Sequence, residues 1–216
     1  MRRVRIPHMP QIAKWRGEPD ATTSKEAERI FKLAKLSKND VFYDLGCGHG
    51  WVCIWAARHC KAAKGIEDLK LLVNRAKRNV AEAGVKNVEI IRGNFFDNPL
   101  TEATMLFCIV GLNTQDFEMW TRNRRHFRIV TLGPPPVPIL PAATADNYCL
   151  TQFPYRKAKR IEEWYEAVVG KRSAKWIDVR KKYDCLNGEA LRVHSRALKR
   201  AFGKTCLIDK PRATRV

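Results

Sequence analysis

At 216 residues, 45% of them hydrophobic, the chain is long enough for one domain with a packed core and a small appendage. Its formal charge is +19, and the excess lies at the ends: 10 basic against 5 acidic residues over 1–40, 13 against 10 over 41–155, and 18 against 7 over 156–216. The absence of any apolar run of the ~18 residues that a membrane span needs, of an apolar stretch behind the charged start MRRVRIPHMPQ, and of any CxxC among the seven cysteines excludes a membrane-spanning, a secreted and a zinc-ribbon reading and implies a cytoplasmic protein.

The first 23 residues read as a basic arm. Residues 24–36, SKEAERIFKLAKL, place Ala27, Ile30, Leu33 and Ala34 on one helical face, with Thr22, Thr23 or Ser24 as cap and Glu26 set for a capping box. A turn at 37–40 leads to a strand at 41–45, a helix over 51–60 and a strand at 63–67. A helix over 69–83 stops at Gly84, and a strand covers 88–91. The apolar run 105–110 has the composition of a buried parallel strand. A helix over 115–125 and a strand over 127–132 follow. Strands alternating with helices predict a doubly wound, mostly parallel α/β sheet.

Beyond 132 the pattern changes. The stretch GPPPVPILP, 133–141, is too rich in proline for a helix and reads as a stiff extended loop. A further strand is expected over 147–153 and a helix over 156–169. Residues 171–216 form a basic extension, in which Arg192, Arg196, Lys199 and Arg200 surround Leu191, Ser195 and Leu198. The expected division is thus 1–23, 24–170 and 171–216. Two basic flanks around a nearly neutral centre suit a polyanionic partner, and Arg196, Lys199 and Arg200 are the expected phosphate contacts.

The stretch VFYDLGCGHGW carries the chemistry. Three glycines, Gly46, Gly48 and Gly50, follow the first strand, with Asp44 before them. In a doubly wound sheet the ligand sits beyond the carboxyl ends of the strands, and a glycine turn lets the backbone approach it closely. The spacing is not the GxGxxG of dinucleotide enzymes. A carboxylate there repels a pyrophosphate and attracts a cation.

This arrangement resembles motif I of the class I S-adenosylmethionine-dependent methyltransferases. The resemblance runs over residues 24–132 and implies a Rossmann-like fold and S-adenosylmethionine as cofactor. It also implies that Glu67, in KGIED, binds the ribose hydroxyls and that Asn94 and Phe95, in IRGNFFD, frame the adenine. Asn94 departs from the aspartate commoner there. At the end of the fourth strand, base amino-methyltransferases often carry Asn/Asp/Ser-Pro-Pro-Tyr/Phe. This chain keeps Asn113 without the prolines or the aromatic. Asn113 reads equally as the catalytic amine acceptor and as an N-cap for the following helix. Phe153 and Tyr155, in TQFPY, are expected to return to the same rim and to supply the missing stacking surface for a flipped base.

The small size and basic arms are similar to archaeal ribosomal-RNA methyltransferases, including those acting on the cytidine N4 amine. The N-terminal helix leading into DLGCGHG also resembles archaeal lysine methyltransferases. The basic charge favours RNA, ribosomal before transfer RNA, over basic protein tails. A non-catalytic RNA-binding protein is disfavoured by the complete cofactor motifs. No cysteine stands in a Thr-Ser-Cys or Pro-Cys setting, which argues against a covalent C5-cytosine mechanism.

Overall fold

The computed structural model describes residues 22–109, 126–170 and 188–203, with side chains in the last stretch from Ser195 onward. Asn113, the helix expected over 115–125 and most of both basic arms lie outside the described residues.

Helix α1 (Ser24–Ala34) opens on Thr23, whose hydroxyl accepts the Glu26 N–H while the Glu26 carboxylate accepts the Thr23 N–H, the expected capping box. There follow β1 (Val41–Leu45), α2 (Trp51–Ala56), β2 (Ala62–Glu67), α3 (Lys70–Ala83), β3 (Val88–Arg92), β4 (Met105–Cys108), β5 (Arg128–Leu132), β6 (Ala143–Ala145), β7 (Tyr148–Gln152), α4 (Ile161–Val169) and α5 (Gly188–Phe202). The seven strands form one sheet in the order β3-β2-β1-β4-β5-β7-β6. Neighbours from β3 to β5 are parallel, and β7 runs antiparallel between β5 and β6.

Side chains alternate between the two faces, as strand geometry requires. Phe42, Met105, Phe107, Val130, Tyr148 and Leu150 meet α1, α2 and α3 on one face. Tyr43, Leu45, Leu106, Cys108 and Ile129 build the core of the other. No helix joins β5 to β6: the proline stretch crosses instead, with Ile139 in the second core and Val137 and Leu140 beside Cys149. Trp164, Tyr165 and Val168 of α4 and Leu198 of α5 then cover Cys149. Helix α5 therefore shares a core with α4, and the expected boundary at 170 does not separate two cores.

Tertiary contacts moved two expected boundaries. Helix α2 stops at Ala56 because the chain turns, and the Asn87 side chain donates to the Ala57 carbonyl at 2.9 Å. Helix α4 starts at Ile161 because residues 156–158 pair with the proline stretch. Leu140 N–H donates to Arg156 O at 2.9 Å and Ala158 N–H to Pro138 O at 2.8 Å. Here a sheet-like pairing overrides local helix propensity.

The direction of β7 corrects one expectation about the site. Gln152 stands opposite Arg128, the first residue of β5, and Phe153 N–H donates to Phe127 O at 2.9 Å. Phe153 and Tyr155 therefore lie at the trailing edge of the sheet, away from the carboxyl ends of the parallel strands. Phe153 is buried and stacks on Phe127 at 4.1 Å with the rings 6° from parallel, so it is a core residue. Neither ring reaches the glycine turn.

Candidate cofactor site

The site is built at the carboxyl ends of β1 and β2. Gly46 and Gly48 have φ of +83° and +52°, and nothing lies within 4 Å of where a Cβ would project from either. The turn is held from below: the N–H groups of Gly46 and Cys47 both donate to Ile66 O, at 2.9 and 3.0 Å. Gly50 serves packing instead. A Cβ there would stand 3.1 Å from the Ala76 Cβ, so its bareness lets α3 close against the turn.

Glu67 closes the turn from the second strand. One of its oxygens accepts the Gly48 N–H and the other the Leu69 N–H, both at 3.0 Å. An ionised carboxylate offers about four acceptor positions, so two remain for hydroxyl donors above it. Asp44 stands on β1 beneath the turn, 4% exposed. Its described hydrogen-bond partner is the Cys53 thiol, 3.9 Å from Oδ2. Burial, then the charge of Glu67, pushes its pKa up to about 7, with the thiol only partly countering. A nearly buried acid with so weak a donor is poised for a cationic ligand.

The chemistry of the donor set fits S-adenosylmethionine. An open glycine cradle accommodates close backbone approach, Asp44 suits positive charge, and the acceptor positions left on Glu67 suit a diol. Asn94 and Phe95 follow β3, whose end is tied to β2 by the Gly93 N–H donating to Glu67 O at 3.0 Å. The Asn94 Oδ1 already accepts the Phe96 N–H at 2.9 Å, fixing the turn and leaving one lone pair. Phe95 packs on the second core, while Phe96 is exposed at the rim.

Three supporting residues carry no motif. Asn79 of α3, buried, donates to His49 O at 2.9 Å and pins the glycine turn from the side. Its one signal in the sequence is an amide on the apolar face of α3. Gly65 of β2 lies under the turn, where a Cβ would come within 2.6 Å of the Cys47 Sγ. Cys53 is the donor to Asp44. Burial, with the nearby carboxylates, pushes both the Cys47 and Cys53 thiols well up, which makes them poor nucleophiles.

Residues 42–129 match a family described as a methyltransferase domain. The match and the relatives it stands beside support a class I S-adenosylmethionine-dependent methyltransferase. The chain is 34% identical to a protein-lysine N-methyltransferase of Saccharolobus islandicus over 113 residues, covering 50% of this chain and 65% of the relative. It is 37% identical to an uncharacterised RNA methyltransferase of Protochlamydia amoebophila over 91 residues, 39% of this chain and 21% of that one. The chain thus spans less than two thirds of the length of these curated relatives. The solved structure of an RNA methyltransferase from Salinibacter ruber, in complex with S-adenosyl-L-homocysteine, superposes with a TM-score of 0.56 at 27% identity, covering 67% of this chain and 98% of that one.

Proposed function

We propose that this methyltransferase acts on RNA, at an exocyclic base amine, with the cytidine N4 of ribosomal RNA as the favoured target. Transfer RNA is the alternative RNA. The observation that carries the reading is the charge: +19, concentrated on the two flanks of a nearly neutral cofactor domain. Each phosphate met by Lys or Arg adds salt-dependent affinity, whereas basic protein tails are repelled. The Salinibacter RNA methyltransferase, spanned over nearly all its length, supports it.

When bound, S-adenosylmethionine supplies a methyl group on a sulfonium. The residues of the chain then have separable tasks. Gly46 and Gly48 admit the ligand backbone-close, Asp44 balances its charge, Glu67 takes the ribose hydroxyls, and Asn94 with Phe95 frames the adenine. Asn113 accepts the amine hydrogens and turns the nitrogen lone pair toward the methyl group, so that orientation supplies most of the rate. The setting is the cytoplasm.

Lysine methylation is the second reading, favoured by the identity to the Saccharolobus enzyme over half of this chain. Incubation with radiolabelled S-adenosylmethionine, total RNA and ribosomal proteins decides between them. The expected label is in RNA, recovered as N4-methylcytidine by mass spectrometry of nucleosides, and reduced roughly 10²-fold by Asn113→Ala. Label confined to protein lysines overturns the RNA reading in favour of the second.

A further inference from the structure

We propose that residues 155–160, at the sheet edge remote from the cofactor cradle, form a docking surface for the phosphate backbone of single-stranded RNA flanking the target. The proposal rests on the RNA reading above and adds a second contact region to it.

The sequence of this stretch is YRKAKR. Arg156, Lys157, Lys159 and Arg160 are all exposed, while Ala158 between them is buried. Among the described residues none of the four cations has an acidic partner. Elsewhere Arg29 pairs with Asp146, Lys64 with Glu89 and Glu102, and Arg128 with Asp40. Glu163 of α4 accepts the Lys159 backbone N–H at 2.8 Å, not its ammonium.

The charges stand on a fixed backbone. Residues 156 and 158 are tied to the proline stretch by the two hydrogen bonds described above, and Ile139 and Lys157 form a β-bridge. Proline limits the motion of the opposite strand. A surface already ordered loses little entropy on binding.

An aromatic face completes it. Tyr155, half-buried, meets the Phe153 ring edge-on at 5.1 Å, and the Lys157 ammonium lies 5.7 Å from the Tyr155 ring centroid. A cation track with an adjoining ring is the combination that holds single strands: phosphates on the cations and a base on the ring. The same lobe carries a second basic stretch. Helix α5 inserts Ala197 and Leu198 into the cluster that Ala158 enters, while Arg196, Lys199 and Arg200 stay exposed.

Position fixes the role. Five strand residues at about 3.3 Å each put this edge roughly 16 Å below the cradle. The surface therefore holds RNA outside the target nucleotide and acts on affinity, not on the transfer step.

The test is a full-length variant with Arg156→Gln, Lys157→Gln, Lys159→Gln and Arg160→Gln. Its partner is a control with the same charge loss on or beside α3: Arg75→Gln, Lys77→Gln, Arg78→Gln and Lys86→Gln. Binding of a labelled single-stranded RNA oligonucleotide is followed by anisotropy over a range of potassium chloride. The slope of log K against log salt is expected to flatten by roughly 2 to 3 units in the first variant, about 0.7 per lost contact, and by clearly less in the control. S-adenosylmethionine affinity and melting temperature are expected to match wild type. Equal flattening in both variants overturns the surface as a specific site. An unchanged slope in the first variant, with wild type still binding and methylating RNA, overturns it while leaving the RNA reading intact. Absence of RNA binding by wild type, or capture of phosphatidylserine vesicles in its place, overturns both. Should the quadruple variant unfold, Lys159→Glu with Arg160→Glu, two exposed positions outside the bridge, gives the same readout.

Discussion

Asp44, buried beneath the glycine turn, is expected to give cofactor binding a pH dependence. A carboxyl with almost no hydrogen-bond donors and Glu67 nearby holds its proton up to about pH 7. Its folded-state pKa lies above the unfolded value. Its contribution to stability is therefore fully present below about pH 4 and is lost progressively as the pH rises to about 7. A cationic ligand reverses the preference, because it favours the ionised form. Cofactor binding below pH 7 must expel this proton, so affinity is expected to fall by up to tenfold for each unit of pH below about 7. Calorimetry in two buffers of different ionisation enthalpy should register the released proton. Asp44→Asn should bind more weakly at pH 8, with a flat dependence; an unchanged slope in the variant would assign the proton elsewhere. The glycine spacing and Asp44 were legible in the sequence because the close approach of a ligand admits few residue types. Asn79 and Gly65 were not, since their task is to brace the turn across elements.

Between elements, a clamp of hydrogen bonds and one ion pair gathers around Asp40. Its carboxylate accepts the Ser37 N–H and hydroxyl at 2.7 and 2.8 Å and the Thr104 hydroxyl at 2.8 Å, and it pairs with the Arg128 guanidinium. Arg128 in turn donates to the carbonyls of Ala34 and Lys35, at 2.6 and 3.1 Å, at the end of α1. One ion pair thus joins α1, β1, the approach to β4, and β5. Burial raises the Asp40 pKa, but the Arg128 guanidinium and the hydroxyl donors outweigh it and hold the carboxyl below its usual range. The stability it contributes is present above about pH 4 and is lost as the pH falls through the folded-state value. Asp40→Asn is expected to cost about 3 kcal/mol, as for other broken buried pairs, in denaturant melts at neutral pH, and to reduce the loss of stability in acid. Equal stability of variant and wild type would show the clamp to be dispensable. The sequence announced most elements through apolar runs and glycine stops. It concealed β6, whose three residues are too few for a period, and the start of α4, where pairing with prolines twenty residues earlier decides the backbone.

At the scale of the molecule the decisive fact is which segments cover the second face of the sheet. The rise in charge density marks residues 171–216 as a basic extension in the sequence, and charge alone does not say which of its apolar residues enter a core. Leu198 is nevertheless 3% exposed and lies in the core of Trp164 and Val168. Leu198→Ala is expected to cost about 2 to 5 kcal/mol in urea unfolding, the range for a large side chain removed from a core. A cost within the scatter of surface substitutions would return α5 to the status of an appendage. The misplacement of Phe153 and Tyr155 has the same origin: whether a strand returns parallel or antiparallel is a property of the whole sheet, and local alternation of residues does not encode it.

The proline crossing also has a consequence for biosynthesis. Since no helix joins β5 to β6, β5 lacks a partner on its outer edge until β7 emerges to slot beside it. The face built from the N-terminal half is roofed early by α1, α2 and α3. Among the described residues, Cys149 and the proline stretch beside it wait for α4 and then for α5 to cover them. During that interval Val137, Leu140 and Cys149 face water on a nascent chain. That is the window in which such half-roofed sheets are captured by chaperones or aggregate, and it makes α5 the segment that ends the exposure of this patch.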